Sequence, residues 1–376
     1  MRHFITVVII TLLGSFSMAQ TMNESQGTGS GASISTGDYN TFYGDSSGTS
    51  VSSGSLNTII GYKAGFTQTT AQDNIFIGAG AGGGTTTGTD NVVIGTRAGG
   101  WGGTSPGTLG GYTPVGALGT DNTVIGNEAG MVMTTGAADN TIIGEEAGQA
   151  LTTGDDNVFI GEDAGFNSTT SSDNTFVGST AGRSNTTGYR NAFFGNEAGY
   201  DNTTGYWNVA VGDSAGTDMG VGYENTMIGH AAGCATEHAS GNTFVGNFAG
   251  YDNNRTNGTS GEGLRNTYLG NYTGYTNREG NYNVGLGAFA DFRNVGTQGS
   301  NDNIGTVFIG YDALVDEQYS VAIGYDADVY GRGTVAIGAF MEYESNNSDY
   351  AVGLGYNGYS RNANNCLLYT SDAADD

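Results

Sequence analysis

Residues Asn174-Thr175-Phe176-Val177-Gly178-Ser179-Thr180-Ala181-Gly182 spell out Asn-x-apolar-apolar-Gly-x-x-Ala-Gly, a phrase that returns along this chain mostly every 17 residues. Clear copies begin at Asn140, Asn157, Asn191 and Asn208. Alignment on the glycine after the apolar pair gives 18 copies from Gly44 to Gly355, among them Gly144, Gly161, Gly178, Gly195 and Gly212. Self-similarity at such a period predicts stacked structural units, none of which can bury a core by itself. Extended backbone alternates its side chains, so Asn174, Phe176 and Gly178 share one face while Thr175 and Val177 share the other. The expected fold is all-β: a parallel β-solenoid, or β-roll, of about 18 short coils with 17- and 14-residue periods.

Each position of the phrase suggests a task. The residue before the glycine is Ile, Val or Leu in nearly every copy, as at Ile143, Ile160, Val177 and Val211. So uniform a position reads as the core stack. The position before that runs through Phe159, Phe176, Ala210 and Met227, and this variety reads as a second surface suited to subunit contact. Asn140, Asn157, Asn174, Asn191 and Asn208 can form an in-register amide ladder. The glycines permit bends or close backbone approach, and Thr-Thr-Gly segments such as Thr152-Thr153-Gly154 read as turns between coils. Ordering a whole coil costs more than one or two buried apolar side chains return, so a second hydrophobic contact from another chain, and hence an oligomer, is expected.

The ends differ from the middle. Residues 1–19 read as a signal peptide, with Arg2 and His3 before an apolar run from Phe4 to Leu13 and Ser17-Met18-Ala19 as cleavage site. Residues 20–36 read as a flexible lead-in and 37–365 as the solenoid. Residues 366–376, which start Cys366-Leu367-Leu368-Tyr369-Thr370-Ser371, resemble a translated sequencing adapter, so the natural C-terminus is expected to be missing. A net charge of −26 argues against nucleic-acid and anionic-lipid partners. With 2 cysteines, one of them in the adapter-like tail, no disulfide framework is expected.

Towards the end the glycine spacing contracts to 14, from Gly310 to Gly324 to Gly338. There Ser320-Val321-Ala322-Ile323-Gly324-Tyr325-Asp326-Ala327 resembles the head repeat of trimeric autotransporter adhesins of the YadA type. Val321, Ala322, Ile323, Gly324 and Ala327 fall on the motif's positions. The resemblance implies a left-handed parallel β-roll, a homotrimer and an adhesive role at the outer membrane of a Gram-negative bacterium. The 17-residue coils look like an expanded form of the same unit. Aromatics such as Phe159, Phe176 and Phe244 stand where the family has alanine. Neither neck, stalk nor membrane barrel follows, so a membrane link would depend on the missing C-terminal anchor.

Function candidates follow from interruptions of the period. The insertion between Gly95 and Gly126 contains both prolines, and its Trp101 and Tyr112 offer an aromatic surface for ligand binding, to glycan or protein. Smaller insertions lie around residues 253–262 and 294–303. His230, Cys234 and His238 have spacing that would suit a metal on a helix, and no helix is expected. Asp121-Asn122, Asp139-Asn140, Asp156-Asn157 and Asp173-Asn174 could hold calcium between coils, although the glycine-rich nonapeptide of calcium-binding rolls is absent; solvated turns are the plainer reading. No cofactor is otherwise expected. No catalytic constellation can be picked out, and a non-enzymatic secreted adhesin head, attaching by multivalent contacts to a host, matrix or neighbouring-cell surface, is the leading expectation. An ice-binding solenoid and a phage-like tail fibre are the alternatives.

Overall fold

The computed structural model describes residues 22–101, 118–254, 262–292, 304–343 and 349–360, together with the strand Cys366–Leu368. It is a parallel β-solenoid, and no helix occurs among the described residues. The chain falls into two compact units, Met1–Asp173 and Asn174–Asp376, each built from the same kind of coil.

In the first unit eight three-residue strands run from Glu24–Gln26 to Val158–Ile160, each paired in parallel with the equivalent residues of a neighbouring coil of that unit. Thr141, Ile142 and Ile143 lie opposite Val158, Phe159 and Ile160, for example. Coil-to-coil bonding continues beyond the strands: Gly148 N–H donates to Ala164 O at 2.9 Å, and Thr152 donates to Thr169 O at 2.8 Å from both its N–H and its hydroxyl. Backbone polar groups are therefore satisfied around the coil, which lets so thin a section exist without a sheet on each side.

The register begins earlier than the sequence suggests. Within residues 20–36, expected to be a flexible lead-in, the described residues 22–36 already belong to a coil stacked on the next. Glu24–Gln26 pairs with Thr41–Tyr43, and the Asn23 side-chain oxygen accepts from Asn40 N at 2.8 Å. Asn23 and Gly27 keep the phrase while Ser25 takes its apolar place, so conserved hydrogen-bonding positions suffice to continue the stack.

The second unit repeats this sheet from Thr175–Val177 to Val352–Leu354, with Cys366–Leu368 paired in parallel to the last of these. Where the period shortens, a second sheet replaces the broad turn. Its two-residue strands are Asp291–Phe292, Leu314–Val315, Asp328–Val329, Glu342–Tyr343 and Tyr359–Ser360, also parallel and in register. The asparagine rung changes at the same place. Asn283 is followed by Thr306, whose N–H and hydroxyl both reach Asn283 Oδ1, at 2.9 and 2.8 Å; Ser320 and Thr334, also buried, continue the position. In the long coils the asparagine amide also caps a turn carbonyl 14 residues ahead, as Asn208 does to Gly222 O at 2.8 Å. In a 14-residue coil the matching carbonyl lies 11 residues ahead, and the Ser320 hydroxyl reaches it, donating to Gly331 O at 2.8 Å.

The interior reverses the sequence assignment of the two apolar positions. Phe42, Ile59, Phe76, Val93, Val124, Ile142 and Phe159 are buried in the first unit, as are Phe176, Phe193, Ala210, Met227, Phe244 and Tyr268 in the second. Ile143, Ile160, Val177 and Val211, expected to be the core stack, are half-buried on the outer face of the sheet. Pleating explains it. The buried asparagine and the strand's middle residue share the inner face, with the alanine of Ala-Gly opposite them. Variable size is tolerated inside because neighbouring rungs share volume. Phe176 and Phe193 stack at 4.8 Å, and Gly285 leaves room that the Phe308 ring occupies.

The strand-ending glycine cannot be replaced at small cost. At Gly144 φ is +146°, and a Cβ there would run into the carbonyl of Gly161 in the next coil. Gly178, Gly195 and Gly212 have the same conformation and face the same kind of backbone neighbour.

Candidate functional site

The coils present three surfaces: the outer sheet face, the coil corners and the edge carrying the insertions. On the outer face the strands present one column of Thr, Val or Ile and a second of Ile, Val or Leu. In the first unit Thr123, Thr141 and Val158 form part of one column, with Ile125, Ile143 and Ile160 in the other. In the second unit Phe194, Ile228, Leu269 and Leu286 are about 40% exposed on that face. A parallel sheet normally has both faces covered. Here one face is packed and the other is apolar and open in a single chain.

The Thr-Thr turns place their two hydroxyls differently. The first bonds to the next coil, as Thr69 does to Thr86 O at 3.1 Å and Thr186 to Thr203 O at 3.0 Å. The second threonines, among them Thr70, Thr87, Thr153, Thr187 and Thr204, are exposed.

Asp121, Asp139, Asp156 and Asp173 are exposed corner residues with φ near +60°, whereas the following asparagines are buried. Asp139 and Asn140 thus point to opposite sides of the chain. Asn140 Oδ1 is occupied by the Asn157 rung, so the pair is not assembled as a calcium ligand set. Among the described residues no group of three His, Cys, Asp or Glu is arranged to hold a metal ion. His230 Nδ1 lies 3.1 Å from an Asp213 oxygen, and the spacing to Cys234 and His238 on non-helical backbone does not gather the three.

Trp101 is a correction. Expected as an exposed ligand platform, it is only 3% exposed and lies against Gly80 and Gly83, where the missing side chains make its slot. It closes the interior at the insertion's start. Tyr112 lies outside the described residues, as do the signal segment and most of both smaller insertions.

The second unit carries a feature that sequence reasoning missed. Residues one or two places after the strand-ending glycine form an aromatic file along the coil corners. Phe248 stacks on Tyr272 at 4.8 Å, Tyr272 on Phe289 at 5.5 Å, and Tyr311 on Tyr325 at 5.3 Å; Phe289 meets Tyr311 edge-on at 5.7 Å. A parallel file begins with Tyr251 on Tyr275 at 5.0 Å. The signal was present in the sequence once the copies are aligned on glycine. Beside this file is a cleft of about 320 Å³ walled by Tyr272, Tyr275, Phe289, Phe292, Asp291 and Asp312. Burial pushes the Asp291 carboxyl up to about 7, despite the Thr276 N–H that donates to it at 3.2 Å. Beneath it, burial likewise drives the Tyr268 phenol well above its usual value.

Comparison with known proteins gives no matching family model and no matching curated relative.

Proposed function

We propose that this chain is the head of a secreted, homotrimeric surface fibre, similar to YadA-type adhesin heads, that performs no chemistry and attaches by many weak contacts. The observation that carries this reading is the open outer sheet face with its half-exposed Ile, Val and Leu column. A row of aliphatic side chains on a flat sheet is unfavourable in water and is the natural seat for the same row on another chain. Association of identical chains then covers each solenoid's open face and multiplies every exposed corner by the number of subunits. Modest affinities for a host, matrix or neighbouring-cell surface become avidity. The acidic surface keeps such an assembly soluble and apart from nucleic acid. Export by the N-terminal signal and anchorage through a C-terminal segment beyond Asn365 belong to the same proposal.

Sedimentation of the chain lacking residues 1–19 tests it. A trimer is expected, and Ile143→Lys combined with Ile160→Lys should yield monomers, since both side chains point away from the interior. A wild-type chain that stays monomeric at micromolar concentration overturns the oligomeric reading. A cell-attachment assay with the trimer tests the adhesive part.

One observation favours a second reading. Thr123 and Thr141 beside Ile125 and Ile143 make a regular hydroxyl and methyl lattice on a flat face, which suits ice binding. Thermal hysteresis of the purified protein would decide for it.

A further inference from the structure

The aromatic cleft in the second unit has a composition that the adhesive reading does not require. Its walls combine the rings of Tyr272, Tyr275, Phe289 and Phe292 with the carboxyl groups of Asp291 and Asp312. Tyr275 is inclined by 43° to Tyr272, with ring centroids 5.4 Å apart, so the rings do not form one flat stack. Tyr272 and Phe289 are nearly parallel at 11°. Among the described residues no basic side chain pairs with either carboxyl. Arg278, on the same turn as Tyr275, is engaged with Asp252 at 3.1 Å.

Asp291 is held in place from three sides. Its N–H donates to Ala313 O at 3.1 Å, its carboxyl accepts from Thr276 N–H, and its strand pairs with Leu314–Val315. An acid fixed beside apolar rings without a cation is costly when ionised. A positive guest would remove that cost, and aromatic rings attract the same guest through their quadrupoles.

We propose that this cleft binds an organic ammonium group, held by the rings of Tyr272, Tyr275 and Phe289 and neutralised by Asp291 and Asp312. The guest can be a quaternary head group such as choline or a lysine side chain; both present the same charge on an alkyl body. The strongly negative chain as a whole, at −26, raises the local concentration of such cations. The titratable groups facing Asp291 are Asp312, Tyr272, Tyr275 and, from below, Tyr268. Burial raises the Tyr268 phenol well above its ordinary value, so it keeps its proton through neutral pH. Because burial holds the Asp291 carboxyl near 7, uptake of the cation releases a proton and binding strengthens as pH rises through neutrality.

Calorimetric titration of the whole chain lacking the signal tests this, with choline, with lysine amide, and with the neutral tert-butyl analogue of choline as probes. Saturable binding of choline or lysine amide is expected, about tenfold or more tighter than the neutral analogue. Whichever cation binds more tightly names the source. Tyr275→Ala and Asp312→Asn, both on the surface, should each weaken it by a similar factor, with circular dichroism unchanged; Asp291→Asn should also abolish its pH dependence. Equal binding of charged and neutral probes, or binding of neither cation, overturns the proposal. The measurement does not depend on oligomeric state, so its failure leaves the surface-fibre reading standing and the converse also holds.

Discussion

Asn140 Oδ1 accepts two hydrogen bonds from Asn157, one from its backbone N–H and one from its side-chain amide, each at 3.0 Å. Asn157 is fully buried and Asn140 nearly so, and the Asn140 amide in turn donates to Asn122 Oδ1, Ala138 O and Gly154 O. The side chain thus receives from the following rung and donates to the preceding one.

Replacing Asn140 by aspartate breaks that polarity. The carboxylate still accepts from Asn157 but turns lone pairs toward Asn122 Oδ1, Ala138 O and Gly154 O, where donors are required, and it buries a charge. Asn140→Asp should destabilise the first unit by about 3–5 kcal/mol, read as a lowered urea midpoint.

Phe159 and Ile160 are adjacent and should behave oppositely. Phe159→Ala empties an interior rung and should cost about 3–5 kcal/mol. Ile160→Thr changes only the outer face, and should leave the stability of an isolated chain within about 0.5 kcal/mol while weakening self-association in sedimentation. A larger stability loss from Ile160→Thr in a monomeric preparation would restore the uniform aliphatic column to the interior.

Gly144→Ala places a methyl group against the Gly161 carbonyl at a φ that L residues avoid. A loss of about 2 kcal/mol or more is expected in thermal unfolding, against about 0.5 kcal/mol for a replacement at an unconstrained surface position.

The Asp291 carboxyl keeps its proton up to about pH 7 when folded but releases it near its ordinary value of 3.8 when unfolded. Between those values the native state holds the extra proton, so this group removes stability as pH rises, by about 1.4 kcal/mol per unit, and contributes no slope below both. Asp291→Asn should flatten that part of the stability profile relative to wild type. Parallel profiles for the two proteins would contradict the assignment.

Much of this fold is legible in the sequence because hydrogen-bonding positions in a solenoid repeat without compromise. Asn157, Gly161 and Ala164 mark strand start, bend and corner by residue type alone. What the sequence conceals is which of two alternating apolar residues faces in. Uniform shape is the usual mark of an interior, yet Ile143 and Ile160 are uniform on the outside. The interior shares space between rungs, so Ala210, Met227 and Phe244 occupy equivalent buried positions there although they differ in size. Trp101 was hidden for a related reason. Its slot is made by the absence of side chains at Gly80 and Gly83, two residues in another coil that carry no hydrophobic signal. The aromatic file from Phe248 to Tyr325 follows the period, but it becomes a surface only when consecutive corners are laid over one another.

Because each rung of the asparagine ladder bonds to a copy of itself, one coil makes the same ladder and backbone hydrogen bonds to its neighbours as another of equal length. Duplication or loss of a whole 51-nucleotide module by recombination would therefore leave every remaining contact type intact. Copy number becomes heritable variation that selection can adjust without redesigning a single side chain.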